Sequence, residues 1–84
     1  MLLIKYGIYT NNIDITNICM TKLNNSNIIT IPAHDDNRTP FFTDPVYGVK
    51  KKIFIVLNDN INVYDDTCSI SINLITYTIT TDNK

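Results

Sequence analysis

The sequence has no tryptophan and no glutamine, and it has one alanine, one histidine, two glycines, two cysteines and three prolines. Each scarcity excludes something. Cys19 and Cys68 stand far apart and outside any Cys-x-x-Cys spacing, and His34 is the only histidine. No zinc framework can be assembled from them, so no metal site is expected. The cysteines read as reduced, half-buried apolar positions, although sequence leaves a single disulfide open. No apolar run is long enough to span a bilayer, so no membrane role is expected. Met1-Leu2-Leu3-Ile4 reaches Lys5 before the apolar core of a signal peptide can form. The expectation is therefore a soluble intracellular protein, cytoplasmic by default. The net charge of −1 offers nothing to a nucleic acid. No stretch keeps a helical apolar stripe for more than a turn or two.

Eighty-four residues make one domain. A chain of this size buries a modest share of its surface. Isoleucine and asparagine are abundant, fifteen and twelve residues. With Lys and Tyr they have AT-rich codons, which suggests an AT-rich genome such as that of a large DNA virus or a protist.

The chain is organised around Arg38–Leu57, which holds all three phenylalanines, two prolines and the longest apolar run. Before it, residues 2–10 read as a first strand, with Gly7 marking a bulge or a close backbone approach. Asn11-Asn12 reads as a turn. Ile13-Asp14-Ile15-Thr16 alternates, with Asp14 and Thr16 placed to accept from nearby backbone N–H groups. Residues 17–23 suit one helical turn or less. Asn24–Asn27 reads as a turn, and residues 28–31 as a strand stopped by Pro32.

Residues 33–49 read as a long Pro-rich loop pinned by Phe41 and Phe42. Asp44-Pro45-Val46-Tyr47-Gly48 has turn chemistry: Asp44 at position i, Pro45 setting φ, Gly48 accepting φ > 0. Residues 51–57 are the central strand, with Ile53, Ile55 and Leu57 on one face and Phe54 and Val56 on the other. Both faces are apolar, which suits a strand covered on both sides or near the domain centre. Asn58-Asp59-Asn60 is a tight turn, and residues 61–64 and 68–74 alternate. Cys68, Ile70, Ile72 and Leu74 share one parity, whereas Ile75, Tyr77 and Ile79 share the other. A bulge or sharp bend is expected near residues 73–75. The class is all-β: a small sandwich of about six or seven short, mostly antiparallel strands.

His34, Asp35, Asp36 and Arg38, with Asp44 and Tyr47, form the one dense polar cluster. It offers oxygen ligands of the kind calcium takes, or partners for sugar hydroxyls. It also reads as a solvated loop with an internal Arg38–Asp pair. Lys50-Lys51-Lys52 reads as a charged flank that protects an apolar strand from aggregation. Tyr6, Tyr9, Tyr47, Tyr64 and Tyr77 could supply stacking faces for carbohydrate or single-stranded nucleic acid, but without tryptophan or interleaved arginine they better suit sheet faces. Ser26, Ser69 and Ser71 lie in no nucleophile elbow, and His34 has no triad context. No enzyme activity and no cofactor are expected.

Tyr6-Gly7, Ile13-Asp14-Ile15-Thr16, and Phe42-Thr43-Asp44-Pro45-Val46-Tyr47-Gly48-Val49-Lys50-Lys51 share a pattern with a known family, as does the alternation from Ile61 to Leu74. The chain resembles the C-terminal β-domain of DnaJ homolog subfamily C member 11 proteins over residues 3–74. The resemblance implies an accessory or interaction domain without catalytic residues. The positions read above as structural, Gly7, Asp14, Thr16, Asp44, Pro45 and Gly48, all fall within the matching stretches. The sequence departs from the family in standing without a J-domain and in carrying residues 75–84, so a mitochondrial location does not transfer. On this reading residues 1–74 are the domain, and residues 75–84 are an extra edge strand and a frayed end.

The functional expectation is a non-enzymatic protein–protein interaction module with an unidentified protein partner. The alternative is a glycan- or calcium-binding domain using loop 34–44. The tail, with Ile75, Tyr77 and Ile79, has high β-propensity and needs cover. It can return onto its own sheet, or add to a second copy as an isologous homodimer.

Overall fold

A computed structural model describes residues 2–83. Four hairpins make two four-stranded antiparallel sheets. The first hairpin is β1 (Leu2–Ile8) with β2 (Asn11–Asp14), followed by helix α1 (Thr16–Lys22). The second is β3 (Asn24–Asn25) with β4 (Ile28–Ile31), followed by helix α2 (Asp35–Phe42). The third is β5 (Lys52–Leu57) with β6 (Asn60–Tyr64), and the fourth is β7 (Cys68–Asn73) with β8 (Thr78–Asn83). Sheet A has the order β2-β1-β5-β6 and sheet B the order β3-β4-β7-β8. Each sheet therefore joins an early hairpin to a late one through its two middle strands. The expected all-β sandwich is the fold, with eight strands and two short helices among the described residues.

Alternation decides what meets between the sheets. Ile4, Tyr6, Ile53, Ile55 and Leu57 come from sheet A, and Ile29, Ile31, Ile70 and Ile72 from sheet B. Ile15 and Cys19 from around α1 and Phe42 from α2 close the same core. The two cysteines are not bridged. Cys19 is fully buried, and burial pushes its thiol up to about 12.

The turns follow residue chemistry. Ser26 and Asn27, and likewise Asn58 and Asp59, adopt positive φ in two-residue hairpin loops, where a pair of left-handed residues matches strand twist. Strand β5 lies at the centre of its sheet, but its second face is not covered by another layer.

Four local expectations are corrected. Asn11 and Asn12 begin β2, and the turn falls on Tyr9 and Thr10. Gly7 explains why: a Cβ there would sit 2.4 Å from the Asn11 carbonyl oxygen, at φ +147°. Helix α1 is about two turns, longer than the single turn expected. Asn24 and Asn25 pair with Ile29 and Ile28. The Pro-rich loop loses its middle to α2, which contains Pro40. Asp35 and Asp36 in its first turn suit the positive end of the helix dipole, and Arg38 and Phe42, four residues apart, both turn inward.

The phase break near residue 74 is a four-residue loop between β7 and β8. Ile72 pairs with Ile79 and Asn73 with Thr78, so an even inward set on β7 faces an odd one on β8. The Asn73 side chain accepts from the N–H groups of Ile75 and Thr76, at 2.9 and 3.1 Å. The tail thus takes the first of its two routes and returns onto its own sheet. Ile75 and Tyr77 sit exposed in the loop, and Ile79 packs on the core. Asp82 and Asn83 belong to β8, while Lys84, expected to fray with them, lies outside the described residues.

Candidate functional site

The polar cluster condenses around a cleft of about 420 Å³. His34 and Asp35, Asp36 and Thr39 come from the start of α2; Asp44, Gly48 and Val49 come from the following loop. Lys50, Lys51 and Asp66 complete the wall. Of the residues expected to bind, His34, Asp35, Asp36 and Asp44 are brought together. Arg38 and Tyr47 are not. Tyr47 points into solvent, 92% exposed.

Arg38 is fully buried beneath α2. Its Nε donates to the Pro32 carbonyl at 2.7 Å, and an Nη donates to the Cys68 carbonyl at 2.6 Å. The internal Arg38–Asp pair does not form; the guanidinium instead staples α2 to the start of β7. Burial pulls its pKa below the usual value, and the nearby Asp35 opposes that shift.

The buried cation of the cleft is Lys51. Its side chain is 4% exposed, and Nζ donates to the carbonyls of Val46 at 3.0 Å and Val49 at 2.6 Å. It pairs with Asp44 at 3.1 Å and approaches Asp35 at 3.8 Å. The lysine triplet therefore does not act as one exposed flank. Lys50 is exposed and reaches Asp66 at 3.9 Å, and Lys51 is a core post.

Asp35 is fully engaged: one oxygen accepts from Tyr6 Oη at 3.1 Å, the other from the Lys51 N–H at 2.8 Å. Burial, with the Asp35 charge adding to it, pushes the Tyr6 hydroxyl up to about 12. The turn behaves as its residues dictate. Asp44 accepts from the Val46 N–H at 3.2 Å, and Gly48 has φ +78°. The Pro45 carbonyl accepts from the Asn11 side chain at 3.1 Å, tying the loop to the first hairpin. Asp14 accepts from the Thr16 N–H at 2.9 Å, and Thr16 Oγ1 accepts from the Ile4 N–H at 2.8 Å. Hydrogen bonds from Thr16 hold the Asp14 carboxyl below its ordinary value.

With three of its carboxylates committed to Lys51, Lys50 and backbone groups, the cleft works as an internal clasp. Among the described residues no three His, Cys, Asp or Glu side chains gather to hold a metal ion.

The second surface feature lies on the outside of sheet A. Leu3, Phe54, Val56, Ile61 and Val63 form a continuous apolar face, with Tyr9 laid against Phe54 at 5.1 Å between ring centroids. A shallow groove of about 270 Å³ crosses it, with Lys5 and Asn12 at its rim. The two apolar faces of residues 51–57 suit a strand covered on both sides or near the domain centre; β5 is a middle strand with no second layer over its outer face, where Phe54 is 9% exposed beneath its neighbours and Val56 is half-buried.

No protein-family model, curated protein or solved structure matches the chain.

Proposed function

We propose that the chain is a non-enzymatic protein–protein interaction module that docks through the outer face of sheet A. One contrast carries the reading. The outer face of sheet B is built from Thr30, Ser69, Ser71, Asn73, Thr78, Thr80 and Asp82, with Ile28 the one large apolar side chain among the described residues. The outer face of sheet A carries five aliphatic or aromatic residues on three adjacent strands, plus Tyr9. Scattered exposed apolar residues need no explanation, but a contiguous patch marks an interaction surface. Ile61 is 69% exposed and Tyr9 72%. Each large apolar side chain left in water forgoes roughly 1.5–3 kcal/mol that a partner would recover. The surface this face fits is flat, apolar and close to neutral.

The interaction reading also matches what the resemblance to the DnaJ homolog subfamily C member 11 domain implies. The test compares the full chain with Ile61→Glu as immobilised bait at physiological salt. A partner held by the wild type and lost with Ile61→Glu, and then bound as a purified protein with the same difference, supports the reading. Identical recovery by the two baits counts against it.

A further inference from the structure

The apolar face of sheet A also carries charge, and its arrangement narrows the partner. The register places Leu3, Val56 and Ile61 in one row across three strands. The next row runs Asp14, Lys5, Phe54, Val63. Lys52 lies one step further, opposite Gly7, with Asp65 close enough to feel its charge. The patch thus has two cations on its middle strands, Lys5 on β1 and Lys52 on β5, with a carboxylate beside each, Asp14 on β2 and Asp65 just after β6. Neither Lys5 nor Lys52 closes an ion pair with its neighbour among the described residues.

We propose that the occupant of this face is a second copy of the chain, packed sheet to sheet across a two-fold axis. The proposal rests on the reading of the face as a docking surface. An acidic or basic partner would meet like charge at part of the rim, because both signs are present in equal number. A copy of the same face offers a carboxylate for each lysine. The net charge of −1 adds little long-range repulsion between copies. Packing two such faces repeats the sheet-on-sheet geometry already used inside the domain, and an isologous two-fold contact is self-complementary by construction.

Sedimentation equilibrium of the full chain should show a monomer–dimer equilibrium with Kd on the order of micromolar to tens of micromolar. Ile61→Glu should raise that Kd by about 30-fold or more, because it puts a charge on the most exposed aliphatic side chain of the face, with circular dichroism unchanged. In wild-type protein, methyl NMR signals of Leu3, Val56, Ile61 and Val63 should shift with concentration while those of Ile70 and Ile72 stay fixed. That measurement needs no variant, so it stands even if Ile61→Glu fails to fold. A monomer at millimolar concentration overturns the proposal. So does a dimer that Ile61→Glu leaves intact or whose shifts fall on sheet B. A monomer that still binds a heterologous protein through Ile61 would sink the self-docking proposal alone and leave the interaction module standing.

Discussion

Replacing Lys51 with methionine separates the clasp from the sequence run it sits in. Methionine keeps the length and most of the volume of the side chain but removes the ammonium. In the wild type Nζ holds the Val46 and Val49 carbonyls and the Asp44 carboxylate. Hydrogen bonds to a charged group contribute about 1.5–3 kcal/mol each, and breaking a buried pair costs about 3–5 kcal/mol. The upper figure does not apply here, because the Asp44 side chain is 28% exposed and water can replace part of what it loses. Asp35 keeps its bonds from Tyr6 and from the Lys51 N–H. Removing Lys51 also removes the cost of burying its charge.

The net expectation is a loss of about 2–3 kcal/mol. A domain of this size has about 4–13 kcal/mol in total, so the effect is large. Urea unfolding should show a midpoint lower by about 2–3 M for an m-value near 1 kcal/mol/M. Residues 43–50 should become sensitive to limited proteolysis, since the lysine holds two of their carbonyls. Lys50→Met and Lys52→Met are the controls, expected within about 0.5 kcal/mol of wild type. If Lys51→Met unfolds at the same urea concentration as those controls, the clasp contributes nothing and its description is wrong.

Other perturbations follow from the same structure. Gly48→Val should cost about 1–2 kcal/mol through left-handed backbone strain alone, because no atom lies within 4 Å of its Cβ position; calorimetry against Gly48→Asn isolates that strain. Gly7→Ala should cost more, on the order of 2–4 kcal/mol, since the added methyl meets backbone at 2.4 Å; hydrogen exchange should show the β1–β2 hairpin opening first. Tyr6 and Cys19 have folded-state pKa values raised to about 12 from 10.0 and 9.0. Their neutral forms are therefore favoured by folding: the stability is fully present below pH 9 and is lost as pH rises through 9–12, and Cys19→Ala should flatten part of that decline. Ending the chain at Leu74 removes β8 and uncovers Ile72, so the expected result is loss of cooperative unfolding, read by a broadened thermal transition.

The strands were legible because alternation is a strong constraint when one face is buried. Ile53, Ile55 and Leu57 point inward as their parity requires, and Ile70 and Ile72 meet them from the other sheet. The shift to odd positions in the tail was legible as well, but its cause was not. A bulge and a four-residue loop both invert parity, and the Asn73 side chain that organises the loop gives only a local signal. Helix α2 was hidden by Pro40 and by a run of Asp and Asn that reads as loop. Its two buried residues are an arginine and a phenylalanine, so no aliphatic stripe announces it. Arg38 was read through its charge, whereas its partners are carbonyl groups that sequence does not display. Lys51 was within reach: it shares the odd parity of the inward residues Ile53 and Ile55, and its neighbours Lys50 and Lys52 do not. Treating the triplet as one charged flank set that parity aside.

The edges of the two sheets bear on which surface associates. An edge strand invites pairing unless it is short, charged or polar. Strand β3 has two residues, and β2 carries Asn11, Asn12 and Asp14. Strand β6 alternates Asn60 and Asn62 with its apolar residues, and β8 presents Thr78, Thr80 and Asp82 outward. Each edge has one of the usual defences. The outer face of sheet B has them too, in its threonines and serines. Exposed apolar side chains also occur away from the outer face of sheet A, at Met20, Ile28, Phe41, Tyr47, Val49, Ile75 and Tyr77, whereas on that face they adjoin one another across three strands. Polar residues are absent there only across Leu3, Phe54, Val56, Ile61 and Val63, and the charges return at the rim. A surface that is apolar at its centre and charged at its border has the anatomy of a protein interface. Association is therefore expected across the face of sheet A, with the strand edges left unpaired.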